Sequence, residues 1–256
     1  MRTSHKALAC FALTFLASVI AVGAAEEITT ETRDGITVFG TLYGADLDSD
    51  SPLVLLFHQA GSNGRGEYAD IVGWLNRPGF RAAAWDQRVG GDLYGSSNKT
   101  VSGLQSDHEW SYCDAYPDLL AALDRVIELD LAEKVILWGS SYSGSLVFRL
   151  AAERPDRVDG VIAFSPASGG PMVDCRARMW VDSVQAPVFV LRPASEMARA
   201  SSEEQRDVLT AAGSEFLVVE NGVHGSSMLV DERTEHDMSA VRETVIRWLG
   251  TISVAN

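Results

Sequence analysis

The sequence predicts an α/β domain built on a mostly parallel sheet with helices packed on both faces. Three observations point there. Short apolar runs alternate with segments of helical spacing, a rhythm that carries the chain from one parallel strand to the next through a crossover helix. The runs are continuous rather than alternating, so both faces of most strands must be covered. A chain of 256 residues, 46% hydrophobic and 22% charged, can bury one sizeable core.

Taken from the amino terminus, residues 1–25 read as an export leader and residues 26–256 as the domain. Arg2, His5 and Lys6 precede an unbroken apolar run from Ala7 to Val22, and the small residues Gly23, Ala24 and Ala25 follow. Signal peptidase reads that order, with cleavage expected after Ala24 or Ala25. The run is short for a permanent span, which needs about 20 apolar residues, so no stable membrane insertion is expected after cleavage. Cys10 precedes most of the apolar run, too early for a lipoprotein cysteine.

Within the domain, Ile36–Tyr43 and Leu53–Phe57 are strands bounded by Gly, Asp and Pro. A helix over Glu67–Leu75 aligns Tyr68, Ile71, Val72 and Leu75, and Phe80–Trp85 is the next strand. Asp118–Leu131 sets Leu119, Leu120, Leu123, Val126 and Ile127 on one face, before strand Lys134–Trp138 and helix Ser143–Ala152. Strands follow at Gly160–Phe164, Val188–Leu191 and Glu215–Val219. A last helix, Met238–Leu249, turns Val241, Val245, Trp248 and Leu249 inward. The interval from Phe164 to Val188 is too short for a separate lid domain. Arg88–Cys113 is the long irregular stretch and carries Tyr94, Trp110 and Tyr112.

Charge and cysteine usage narrow the function. The formal net charge is −14, and the leader would remove Arg2 and Lys6, so a polyanion would be repelled and nucleic acid is excluded as a partner. The three cysteines form no Cys-x-x-Cys and no paired Cys/His spacing, which removes structural zinc. Cys113 and Cys175 remain in the mature chain. An oxidising compartment would permit one bridge between them; two separately buried thiols are the alternative.

In parallel sheets ligands bind beyond the carboxyl ends of the strands, and the chemistry-bearing residues fall there. Gly139-Ser140-Ser141-Tyr142-Ser143-Gly144 follows one strand and opens a helix, the order of a nucleophile elbow in which a tight turn lifts a serine hydroxyl clear of the backbone. The pattern Gly-x-Ser-x-Gly is met except at its last position, where Ser143 stands. Ser141 is the candidate nucleophile. A general base must take its proton, and His224, just after the last expected strand, is better placed than His58, His108 or His236. Glu196 follows the strand Val188–Leu191 and is the candidate acid, with Asp174 or Asp182 as substitutes; the order Ser, acid, His fits the elbow. For the oxyanion, Tyr142 N–H needs a second donor, with Ala60 first and Gln59 second in the turn after Leu53–Phe57. The glycines of Gly61-Ser62-Asn63-Gly64-Arg65-Gly66 lack the order and the Lys that a phosphate loop requires. No cofactor or metal is implied.

These residues resemble the α/β-hydrolase superfamily over nearly the whole mature chain, and in particular lidless bacterial members near the dienelactone hydrolase-like group. The resemblance rests on His58-Gln59-Ala60-Gly61-Ser62-Asn63, Asp86-Gln87-Arg88, the elbow, Phe164-Ser165-Pro166 and His224-Gly225-Ser226 in that order. It implies an eight-stranded sheet and a Ser141, Glu196, His224 triad. Dienelactone hydrolases proper use a cysteine nucleophile, and the acid is more often Asp, so only hydrolysis of some small carboxylic ester carries over. An exported serine esterase is the expected function. A peptidase or acyltransferase with the same triad, or a binding protein that keeps the fold, are the alternatives.

Overall fold

The protein is described here as a computed structural model covering residues 25–48, 50–104 and 108–254. The expected leader, except for Ala25, lies outside these described residues. Every residue of β3 (Leu53–Phe57), β4 (Arg81–Trp85), β5 (Val135–Ser140), β6 (Gly160–Phe164) and β7 (Val188–Pro193) is buried, as continuous apolar runs require. With β1 (Glu26–Glu31), β2 (Thr37–Tyr43) and β8 (Glu215–Val219) they form one sheet in the order β1-β2-β4-β3-β5-β6-β7-β8. The β1–β2 and β2–β4 pairs are antiparallel, and all others are parallel.

Strand pleating sorts the core into two layers. Leu53, Leu55 and Phe57 point to one face, with α3 (Tyr116–Glu128) and α4 (Tyr142–Glu153) against it. Val54 and Leu56 point to the other, under α1 (Gly64–Asn76) and α7 (Ser239–Val254). The remaining helices are α2 (Lys99–Gly103), α5 (Ala200–Ala211) and α6 (Asp231–Thr234). Among the described residues no helix is long and apolar enough to cross a membrane.

The expected elements occur with ends shifted by a few residues, and four were not expected: β1 at the sheet edge, the short helices α2 and α6, and α5. Helix α1 starts earlier than its apolar pattern because Asn63 caps it, accepting the Gly66 N–H at 2.8 Å. Between β6 and β7 the chain makes three short 3-10 turns and no lid. Cys113, ahead of α3, is joined to Cys175, beyond β6, across 62 residues of sequence.

Residues after β4 brace the carboxyl edge of the sheet. Asp86 accepts Gly64 N–H at 2.8 Å and Lys99 N–H at 2.7 Å. Gln87 N–H donates to His58 Nε2 at 2.9 Å. Arg88 reaches both Asp118, at 2.7 Å, and Asp34, at 2.6 Å, clamping α3 to the β1–β2 turn.

Candidate active site

The carboxyl ends of β3, β5, β7 and β8 meet on one side of the sheet, and each supplies one part of the site. β5 ends at Ser140 and α4 begins at Tyr142, so Ser141 alone makes the turn, at φ 60° and ψ −116°. Such backbone costs a non-glycine residue about 1–3 kcal/mol. Small neighbours allow it: a Cβ on Gly139 would lie 2.5 Å from the Ser143 carbonyl oxygen and 2.6 Å from Gly144 Cα. Ser143, where the pattern departs, has its own task. Its hydroxyl lies 2.6 Å from the Phe57 carbonyl oxygen, to which it donates, and accepts the Ser140 N–H at 3.0 Å, tying β5 to β3.

The loop after β8 is pinned to the same place. Ser226 N–H donates to Ser140 Oγ at 2.9 Å, and the Trp138 indole N–H donates to Ser226 Oγ at 2.8 Å. His224 is thereby held with Nε2 2.7 Å from Ser141 Oγ and Nδ1 hydrogen-bonded to Glu196 Oε1. An Nδ1–H directed at the carboxylate leaves the Nε2 lone pair for the serine proton, the arrangement a nucleophilic serine needs.

Glu196 ends the turn Ala194–Glu196 after β7, and its side chain is only 6% exposed, against 46% for His224. Burial acts most strongly on the Glu196 carboxyl and pushes it up. The hydrogen bond to His224 and the charges of His224, Arg192 and Arg199 outweigh burial, so the group titrates below the usual carboxylate range. Arg192, a residue that sequence reasoning missed, donates to Glu196 Oε2 at 2.6 Å, to Gln205 Oε1 on α5 at 2.7 Å and to the Pro166 carbonyl. Its signal was a lone arginine ending an otherwise apolar strand. Asp174 and Asp182, the alternative acids, are exposed, and both ring nitrogens of His224 are taken by other partners.

Of the two candidate oxyanion donors in the turn after β3, Gln59 is unavailable, because its N–H donates to Glu67 Oε2 at 2.7 Å. Ala60 N–H has no partner among the described residues. Tyr142 opens α4, so its N–H has no acceptor within the helix. His58 is not a base: it is fully buried, its Nδ1 contacts the Gln59 carbonyl at 2.8 Å, its Nε2 accepts the Gln87 N–H, and burial lowers its pKa to about 4. His236 contacts the Thr234 carbonyl at 2.7 Å, and His108 packs edge-on against Trp110.

A cavity of about 530 Å³ opens beside His224, lined also by Gln59, Ala60, Tyr94, Ser227 and Arg233. Tyr94, in the long irregular stretch, is held at φ 69° with its hydroxyl 2.9 Å from Gln59 Nε2 and 2.8 Å from Ser227 Oγ. The Arg233 guanidinium lies 3.9 Å from the centre of the Tyr94 ring. Such a site can hold a small acyl group next to a primed serine.

A family model described as serine aminopeptidase, S33, matches residues 49–225. No curated protein matches the chain. Among solved structures, a thermostable carboxyl esterase from Bacillus coagulans superposes with a TM-score of 0.68 at 14% identity, over 90% of this chain and 99% of that one. Est1E from Butyrivibrio proteoclasticus gives 0.66 at 16% identity, over 90% and 99%. A dienelactone hydrolase from Anabaena variabilis gives 0.66 at 17%, over 89% and 97%.

Proposed function

Because the chain belongs to the α/β-hydrolase family described as serine aminopeptidase, S33, we propose that it hydrolyses small carboxylic esters through an acyl-enzyme on Ser141. The observation that carries this is the hydrogen-bonded line from Glu196 through His224 to Ser141, set at a strained elbow. Ser141 Oγ attacks the ester carbonyl as its proton passes to His224 Nε2. The oxyanion accepts hydrogen bonds from Tyr142 N–H and Ala60 N–H. Collapse expels the alcohol, which takes the proton from His224. Water, deprotonated by the same nitrogen, then attacks the acyl carbon and frees the acid and Ser141. Glu196 keeps the imidazole in the required tautomer and stabilises the imidazolium, and Arg192 holds Glu196.

The same reading takes the enzyme to be exported. The basic, apolar and small-residue order of residues 1–25 supports export, and so does the Cys113–Cys175 bridge, since disulfides persist mainly in oxidising compartments.

The family's description favours one second reading, an aminopeptidase. A panel of p-nitrophenyl esters from acetate to laurate, run beside amino-acid p-nitroanilides, separates the two. Fastest turnover on the short esters, abolished by Ser141→Ala, is the expected result, since among the described residues no lid extends the cavity for a long chain. Cleavage of the anilides with no turnover of any ester would replace the esterase reading by the second.

A further inference from the structure

The triad does not use the most deeply buried carboxylate near it. Glu67 stands in the first turn of α1 with no exposed surface. One oxygen, Oε2, accepts the Gln59 N–H at 2.7 Å, and the other, Oε1, has no hydrogen-bond partner among the described residues. A carboxylate half-satisfied in the dry interior is an unfavourable packing residue. Besides the Ser140 hydroxyl, which also bonds to the carboxyl, its contact is the N–H of the peptide that precedes Ala60, whose own N–H has no partner among the described residues.

The rest of that turn is fixed from other directions. His58 N–H donates to Gln59's neighbour in space, the Gln87 Oε1, at 3.3 Å, and the Gln59 side chain donates to the Tyr94 hydroxyl at 2.9 Å. Neither bond sets the Gln59 main-chain N–H, and rotation of that peptide would re-aim the next one. Among the described residues Glu67 is the one acceptor of that N–H; the Ser143 hydroxyl, 2.9 Å from the His58 carbonyl oxygen, holds the other end of the same peptide, and Ser62 N–H and His58 Nδ1 meet the Gln59 carbonyl. An ionised acceptor makes the stronger bond.

Resting on the esterase reading above, we propose that Glu67 is a positioning residue for the oxyanion turn: its ionised carboxylate holds the Gln59 N–H and so keeps the Ala60 N–H aimed at the developing oxyanion. The residue touches no substrate. It acts through the turn.

The surroundings make this hold depend on pH. Burial is the largest influence and raises the Glu67 carboxyl to about 7. The Ser140 hydroxyl from β5, the Gln59 N–H, Arg233 from α6 and His224 from the loop after β8 all oppose burial. Tyr68 on the same helix and Tyr142 on α4 face it as neutral phenols, because burial raises both well above their ordinary value. His58, lowered by burial to about 4, is neutral too. Loss of the Glu67 charge on acidification therefore adds one ionisation to the acid limb of kcat. For stability the sign is opposite. A carboxyl raised in the folded state stabilises fully below its unfolded value of 4.5, and that contribution is lost as the pH rises to about 7.

The test is Glu67→Gln, which keeps the shape and an acceptor but removes the charge. At pH 8.5 kcat on p-nitrophenyl acetate should fall about 5- to 30-fold, the difference between a charged and a neutral hydrogen bond. KM should change little, and a trifluoromethyl ketone, whose hemiketal oxyanion occupies the same hole, should lose affinity in proportion. The acid limb should drop from two protons to one, while the melting temperature at pH 8.5 stays level or rises. A kcat within twofold of the parent with an unchanged pH profile would overturn the proposal, as would a melting temperature that falls together with kcat. Should the variant not fold, the parent decides: a single ionisation in its acid limb refutes the role. A parent without ester turnover would instead sink the esterase reading.

Discussion

Along the line Glu196, His224, Ser141, only the imidazole is half exposed while the acid and the serine are buried, so the acid's charge is sustained by protein. Arg192 supplies that support. Breaking a buried ion pair by removing one partner costs about 3–5 kcal/mol, so Arg192→Met should lower stability by that order in denaturant titrations while kcat falls with the loss of a held acid. Equal stability of parent and variant would deny the pair its role. Glu196→Gln should reduce kcat by roughly 10² to 10⁴, because a carboxylate that orients an imidazole is partly replaceable by water. Asp174→Asn and Asp182→Asn should be near neutral in the same assay, since both are exposed. The reverse pattern would move the acid to the segment after β6. Ser141, His224 and Glu196 were legible in the sequence because each follows a strand whose apolar run is unmistakable. Arg192 and Glu67 were not, because their partners, Glu196, Gln205 and the Gln59 N–H, become neighbours only through the fold.

Elements show the same division. β3, β5 and β6 announce themselves as wholly buried apolar runs, whereas β1, Glu26-Glu27-Ile28-Thr29-Thr30-Glu31, pairs only with β2 at the edge and needs few apolar residues. Helix α5 buries Ser202, Gln205 and Leu209. Two of its inward residues are polar because they meet the Arg192 guanidinium, at 3.3 Å and 2.7 Å, so no apolar stripe betrays the helix. The elbow yields a prediction at this scale. In Gly139→Ala the new methyl meets main-chain atoms that cannot swing aside, so the variant should lose about 1–3 kcal/mol or more and most of its activity. Gly73→Ala, in the middle of α1 with nothing within 4 Å of the new Cβ, should instead gain about 0.4–1 kcal/mol. Thermal melts of the pair check both signs, and a harmless Gly139→Ala would contradict the close approach of β5 and α4.

For the whole molecule, the mostly parallel sheet and the placement of the site at its carboxyl edge follow from the strand and helix rhythm, while the strand order and the Cys113–Cys175 bridge join segments that no spacing rule brings together. The bridge closes a long loop between the approach to α3 and the turns after β6. Its reduction should lower stability by about 2–5 kcal/mol, seen as a shift of the denaturation midpoint with reductant; coincident midpoints would deny it that role. The central claim concerns Ser141, and covalent labelling tests it most directly. Treat the protein with a fluorophosphonate, digest it, and locate the adduct by mass spectrometry. A single adduct on Ser141, lost in Ser141→Ala and nearly lost in His224→Ala, is the predicted result. An adduct on another residue, or none on an intact folded protein, would contradict the account.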